Sequence, residues 1–210
     1  MNTYLLQSFT TPRRQMLADM CDEDLMEQFQ AGVVDAFNLL VSRHAERLMH
    51  YLYGFTSDVK LCEDLLQETF LRVHRNRYSY RRIARFSTWL YTIAGNLARS
   101  EYRRRKRQRT YSLQTVNGKN ETYELPLPDE SFSPDRDTER VIQDRHIQAA
   151  LNHIPPTFRE VVVLRDVQQL TYEEIAEITG LPMGTVKSRI NRGRSKLQEL
   201  LEDIYHPQAA

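Results

Sequence analysis

The 210-residue sequence predicts an all-α protein: two small helical domains joined by a flexible acidic linker. Three observations predict it. Apolar residues recur at three- and four-residue spacing along most of the chain, the period of helices with one buried face. Strand signals are nearly absent. The β-branched run VVVL at 161–164 lies inside a longer helical period of Phe158, Val161, Val162, Leu164 and Arg165, and reads as helix. Residues 110–138 lose all periodicity and collect Gly118, Pro126, Pro128, Pro134 and many acids. A stretch of that length exceeds the usual connection inside a compact domain and separates two.

Residues 1–21 read as an N-terminal extension whose first 18 or so positions are poorly ordered. The opening MNTYLLQSFTTPRRQ has no apolar segment behind basic residues, so it does not read as a secretory leader. The first domain is expected at 22–109. Asp22 or Asp24 caps a helix holding Leu25, Met26 and Phe29, and Gly32 breaks it. A second helix keeps one stripe through Phe37, Leu40, Val41, His44, Leu48, Tyr51, Leu52 and Phe55, and 54–58 is a loop. A third helix spans about 59–76 and a fourth about 86–107. After the linker at 110–138, a second domain at 139–203 holds helices near 138–153, 155–168, 172–178 and 183–203, and 204–210 is a tail. Pro155 and Pro156 suit a helix start, where a missing N–H costs nothing. Thr171 with Glu174 three residues on forms a capping box.

The net charge of +1 hides a strong segregation. Residues 72–109 hold thirteen Lys/Arg against the single acid Glu101, while 110–139 hold seven acids against Lys119 and Arg136. The basic block points to a polyanionic partner. Cys21 and Cys62 match no metal or disulfide framework and read as reduced thiols of a cytoplasmic protein. No apolar run reaches the ~18 residues that would span a bilayer.

TYEEIAEITGLPMGTVKSRI, 171–190, has the layout of a helix-turn-helix. Ile175 and Ile178 bury the first helix, Gly180 suits the turn, and Val186 and Ile190 anchor the second. From 181 to 196 there is no carboxylate, as a helix between two walls of phosphate requires. Asn191 and Arg192 suit base edges, Thr185 and Ser188 suit phosphates or bases, and Lys187, Arg189, Arg194 and Lys196 suit the groove walls.

The first domain offers two further surfaces. The third helix buries Cys62, Leu65, Leu66, Thr69, Phe70 and Val73, and presents Asp64, Gln67, Glu68, Leu71, Arg72 and Arg75. A leucine among alternating charges suits protein docking. The fourth helix buries Phe86, Leu90, Ile93 and Leu97, and turns Thr88, Tyr91, Thr92, Asn96, Arg99 and Arg103 outward. Before it, Tyr78 and Tyr80 lie among Arg81, Arg82 and other arginines; aromatics interleaved with cations suit single-stranded nucleic acid or plain core.

Taken together, DLLQETFLRVHR (64–75), FSTWLYTIAGNLARSEYRRRKR (86–107) and IPPTFREVVVLRDVQQLTYEEIAEITGLPMGTVKSRINRGRSKL (154–197) resemble, in that order, the extracytoplasmic-function (ECF) group of bacterial sigma-70 family sigma factors. The resemblance covers 22–203. It implies a factor that binds core RNA polymerase and directs it to promoters. The first domain becomes region 2. Its face at Asp64, Gln67, Glu68, Leu71, Arg72 and Arg75 would dock on the β′ clamp helices. Tyr78, Tyr80, Arg81, Arg82, Thr88, Tyr91, Asn96, Arg99 and Arg103 would read and melt the minus-10 element. The second domain becomes region 4. It would set Thr185, Lys187, Ser188, Arg189, Asn191, Arg192 and Lys196 on the minus-35 duplex and touch the β flap. The family also implies an anti-sigma factor, and neither a cofactor nor a small-molecule substrate.

Two other classes compete. A stand-alone helix-turn-helix regulator accounts for the C-terminal motif but leaves the basic helix and the Leu71 face unused. A nucleic-acid enzyme needs clustered acids on the basic face. Glu63, Asp64 and Glu68 instead share the docking surface.

Overall fold

A computed structural model describes residues 12–56, 58–115, 147 and 149–205, and every regular element among them is helical. In order these are α1 (Pro12–Ala18), α2 (Asp22–Gln30), α3 (Val34–Thr56), α4 (Val59–Arg75), a 3-10 turn (Arg77–Ser79) and α5 (Phe86–Thr115). A short helical stretch at 149–153 follows, then α6 (Pro156–Val162) running into a π turn (Val163–Val167), α7 (Tyr172–Thr179) and α8 (Met183–Tyr205).

The N-terminal half is a bundle around α3. Leu25, Met26 and Phe29 of α2, Leu40, Leu48 and Leu52 of α3, Cys62, Phe70 and Val73 of α4, and Phe86 and Leu90 of α5 are buried together. Full burial of each large side chain contributes about 1.5–3 kcal/mol, which is what aligns the stripes. The ends of the helices differ from expectation. Cys21, not an aspartate, occupies the N-cap of α2, and the acids Asp22, Glu23 and Asp24 fill its first turn, where the helix dipole favours them. Glu23 instead accepts the Phe86 N–H (2.9 Å), satisfying an orphan donor at the start of α5. α3 continues through Thr56, so the first part of the loop expected at 54–58 is helical, and Asp58 caps α4 by accepting the Leu61 N–H. The extension is partly folded: Leu17 of α1 is buried, and Arg43 donates to the carbonyls of Ala18 and Met20.

Asp22 ties α2 to α3. Its carboxylate lies 2.8 Å from Arg43 Nη1 and 2.6 Å from His44 Nε2. Burial pushes this carboxyl's pKa up, but the hydrogen bonds from His44 and Arg43 outweigh it and leave the group below the ordinary carboxylate range. A depressed folded-state pKa stabilises above the unfolded value, about 3.9, and that stabilisation disappears as pH falls through the folded value. Asp22→Asn is therefore expected to cost about 1.5–3 kcal/mol at neutral pH, the range for hydrogen bonds to a charged group. Urea unfolding across a pH series should show the gap to the native chain closing below about pH 4. A gap independent of pH would refute the charge assignment.

The C-terminal half is built on α6, α7 and α8. The capping box is present in both directions: Glu174 N–H donates to Thr171 Oγ1 (3.2 Å), and Thr171 N–H donates to Glu174 Oε2 (2.7 Å). Gly180 closes α7 at φ +69°, a left-handed conformation that glycine takes without steric cost. Ile175, Ile178, Val186 and Ile190 fill the corner against Val161, Val162 and Leu164.

The two halves lie against each other, with α5 along α7 and α3 against α6 and the π turn. This changes the reading of α5. Among its described side chains and glycines the buried residues are Phe86, Thr88, Leu90, Tyr91, Ala94, Gly95 and Ala98, while Ile93 and Leu97 are only partly buried. The face expected to look outward at Thr88 and Tyr91 is covered. α5 also runs to Thr115, past the expected end near 107, so the first residues assigned to the linker are helical; the remainder of 110–138 lies outside the described residues.

Candidate nucleic-acid interface

α8 carries the face expected to meet duplex DNA. Val186, Ile190 and Gly193 point inward, so the helical period turns Lys187, Ser188, Asn191, Arg192 and Lys196 to solvent, with Thr185 and Arg189 half-buried. Ser188 Oγ donates to the Thr185 carbonyl (3.0 Å). Arg194 is held by its own domain, in a two-pronged pair with Asp166 of the π turn. Lys187 Nζ lies 5.9 Å from the Tyr172 ring centroid. The cations free to meet phosphate on this face are therefore set by packing as well as by sequence.

The six residues of α4 expected to dock on a protein partner share one surface. Asp64, Gln67, Leu71, Arg72 and Arg75 are exposed, and Glu68 is half-buried. Leu71 is 48% exposed, and Glu68 Oε1 accepts from Arg72 Nε at 2.7 Å beside it. Leu66, expected in the core, is only partly buried at the edge.

The loop before α5 divides its two tyrosines. Tyr78 is 59% exposed, with the Arg77 guanidinium 4.5 Å from its ring centroid. Tyr80 is buried against Phe86 and Trp89, and its hydroxyl donates to the Ala84 carbonyl (3.0 Å). Burial pushes its phenol up to about 12. Of the two readings open at these positions, Tyr80 takes the core one in this conformation. Arg81 is exposed and donates to the Tyr78 carbonyl, and Arg82 pairs with Asp24 at 2.6 Å. A cleft of about 340 Å³ opens among Tyr80, Arg81, Ile83, Trp89 and Thr92, with Glu177 of α7 on its border. Farther along α5, Asn96 and Arg103 are exposed.

Tyr91 and Arg99 meet the other half of the chain, and Thr88, a turn earlier on α5, is buried. Tyr91 Oη donates to Gln168 Oε1 (2.7 Å), and Gln168 Nε2 donates to the Arg47 carbonyl (3.2 Å). Arg99 Nη1 donates to Glu160 Oε1, to which Tyr51 Oη also donates (3.2 Å). Burial pushes the Glu160 carboxyl up, with Arg99 pulling the other way, and burial followed by the Glu160 charge pushes the Tyr51 phenol well up. Arg159 is buried and, among the described residues, donates to carbonyl oxygens of Gly54, Asn152 and Ile154; burial lowers its pKa to about 10. Sequence reasoning missed Glu160, Gln168 and Arg159. The signal for two of them was an Arg-Glu pair flanked by Phe158 and Val161 in an otherwise apolar helix.

A helix free of acids through residue 196 on a helix-turn-helix scaffold, joined to a basic helix and an exposed leucine-centred face, defines a bipartite DNA-binding protein that also engages a protein partner. Comparisons with known proteins narrow the class. The Sigma-70 region 2 family matches residues 40–108, and the Sigma-70, region 4 family matches 144–197. RNA polymerase sigma factor CarQ of Myxococcus xanthus is 38% identical over 85% of this chain and 97% of its own. The ECF RNA polymerase sigma factor SigW of Bacillus subtilis is 30% identical over 89% of this chain and 100% of its own. Among solved structures, CnrH in complex with the cytosolic domain of CnrY matches with a TM-score of 0.62 at 25% identity, over 86% of this chain and 97% of that one. The sigma factor RpoE in complex with the anti-sigma factor NepR, from Bartonella quintana, matches at 0.58 and 27% identity, over 79% and 96%. This chain belongs to the sigma-70 family, in its ECF group, and is an RNA polymerase sigma factor.

Proposed function

We propose that region 2 at 22–109 binds core polymerase through the Leu71 face of α4 and opens the minus-10 element on the loop at 78–85 and α5, while region 4 at 139–203 seats α8 on the minus-35 duplex. The observation that carries this reading is the exposed, acid-free face of Ser188, Asn191 and Arg192 in the same chain as the exposed Leu71. The protein acts by binding rather than catalysis. Unstacking a base costs about a few kcal/mol, offset by a pocket for the base and by phosphate contacts. Tyr78 and the cleft at Trp89 support capture of a displaced base, and Arg81, Arg82 and Arg103 support contact with the backbone. Thr88, Tyr91 and Arg99 join that surface once region 4 moves away. An anti-sigma factor, the partner of the RpoE relative, fits as the inhibitor, and the cytoplasm as the compartment; among the described residues no helix is long and apolar enough to cross a membrane.

Run-off transcription with purified core polymerase on pooled promoter fragments tests the reading. Transcripts that require this protein are expected, and their upstream sequences give both promoter elements. Binding to duplex DNA with no association with core would favour a stand-alone regulator. On a promoter so identified, Arg192→Ala is expected to weaken minus-35 recognition by about 1–3 kcal/mol and to relax the preference at one base pair. An unchanged preference in a saturation-mutated minus-35 library would remove Arg192 from base readout.

A further inference from the structure

We propose that α2 is a splint for the loop that opens the minus-10 element, with Gln30 and Glu23 as its positioning residues. The inference rests on the loop at 78–85 being a promoter-contacting segment and adds what gives that loop a fixed shape.

α2 has two sides of different chemistry. Leu25, Met26 and Phe29 are buried in the bundle and anchor the helix. Glu23, Glu27 and Gln30 recur at three- and four-residue spacing, with Asp24 beside Glu23, and this polar side meets the loop. The two segments run antiparallel. Gln30, the last residue of α2, donates from Nε2 to the carbonyls of Arg77 (2.6 Å) and Tyr80 (3.3 Å). Earlier along the helix, Glu27 and Asp24 accept from Arg82 at 3.4 and 2.6 Å. In the first turn, Glu23 accepts the Phe86 N–H. The Arg77 guanidinium lies 5.5 Å from the Phe29 ring centroid and 4.5 Å from that of Tyr78, so α2 also props the exposed tyrosine.

The grip leaves the outermost side chains free. Ile83 is 93% exposed, and Tyr78 and Arg81 also face solvent. Tyr80 is fixed from two directions: its ring lies against Phe86 and Trp89, and its carbonyl accepts from Gln30 and Arg81. The loop's own main-chain bonds are short-range, such as Ser79 N–H to the Asn76 carbonyl and Ile83 N–H to the Arg81 carbonyl. Such bonds shape single turns without placing the loop on the bundle. The ties from α2 bridge 47 to 63 residues of sequence and do place it. Surface loops are ordinarily the mobile parts of a fold. A loop that must separate and hold bases binds more tightly when its shape exists beforehand, because ordering then occurs in folding rather than in binding. Gln30 and Glu23 touch no base in this arrangement; they act through the main chain at residues 77, 80 and 86.

The test compares Gln30→Ala and Glu23→Ala with Glu23→Gln, which keeps an acceptor for the Phe86 N–H. In the full chain, trypsin cleavage after Arg77, Arg81, Arg82 and Arg85 reports the loop directly. Both alanine variants are expected to be cut there about tenfold faster, as for loss of one or two hydrogen bonds that hold a local segment. Glu23→Gln should be cut at the native rate. With core polymerase, on a promoter found by run-off transcription, the alanine variants should show a flattened base preference in a saturation-mutated minus-10 library. Their binding to core and their minus-35 preference should match the native chain, and Glu23→Gln should match it throughout. A merely structural role would lower the unfolding midpoint and use of both elements together, with the minus-10 preference as sharp as before, and would overturn the proposal. Unchanged cleavage in both alanine variants would overturn it as well. If one alanine variant loses helix content by circular dichroism, the other carries the test. A native chain that gives no transcripts with core removes the promoter-initiation reading instead, whatever the cleavage rates.

Discussion

Leu71→Asp is expected to abolish binding to core polymerase while leaving the helix content and unfolding midpoint of the chain unchanged. The side chain is about half exposed on α4 and supports little of the bundle, whose packing depends on Cys62, Phe70 and Val73 on the opposite side. A fully desolvated leucine contributes about 1.5–3 kcal/mol to an interface. A carboxylate in its place also carries a desolvation cost and adds a negative charge beside Asp64 and Glu68. The combined loss exceeds about 3 kcal/mol, more than a hundredfold in Kd. Glu68→Ala next to it should do far less, because an exposed ion pair such as Glu68–Arg72 contributes about 0–1 kcal/mol. Size-exclusion co-elution with core, together with thermal unfolding, separates the outcomes. A Leu71→Asp chain that still co-elutes would move the docking surface off α4.

Gly193→Leu should melt region 4 well below the native chain. Gly193 lies on the buried side of α8, where it crosses α6. A Cβ there would sit 2.5 Å from Val162 Cγ2 and 3.4 Å from both Phe158 Cβ and the Phe158 carbonyl oxygen. Val162 is β-branched and fixed at χ1 in a helix, so it cannot swing aside. Overpacking of this kind costs about 1–3 kcal/mol and occasionally more, and a leucine places four carbons in a closed seam. For a domain of this size that is on the order of a 10 °C fall in midpoint. Gly193→Ala grades the effect, since about 1 kcal/mol of helix propensity gained offsets part of the clash. Calorimetry showing Gly193→Leu as stable as the native chain would mean that α6 and α8 do not approach so closely. A stable but displaced α8 would instead appear as lost minus-35 binding.

Much of the fold was legible because it rests on local rules. The apolar periods placed α2 to α5 and α6 to α8, and Thr171, Glu174 and Gly180 announced the start and stop of α7. The inward positions of α8, Val186, Ile190 and Gly193, followed from spacing, which also set Ser188, Asn191 and Arg192 outward. The exposed face of α4 followed in the same way. Less was legible where a residue's surroundings come from elsewhere in the chain. Glu23 caps α5 rather than its own helix, and Arg43 holds the chain end that reads as loose. Gly95, unremarkable in a helical period, makes room for a tyrosine and an arginine.

By itself, the sequence determined that the chain is helical, where the helix-turn-helix lies, and that α8 carries no acid up to residue 196, because each of these depends on residues within a turn or two of one another. The relation between the halves was decided only in three dimensions. Thr88, Tyr91 and Arg99 form a polar face by helical period, and period cannot tell a face open to solvent from one covered by a complementary polar surface. Glu160 and Gln168, 61 and 77 residues beyond Arg99 and Tyr91, supply that cover. Pairing over such separations is a property of packing, and packing turns a face that reads as outward by period into an internal one.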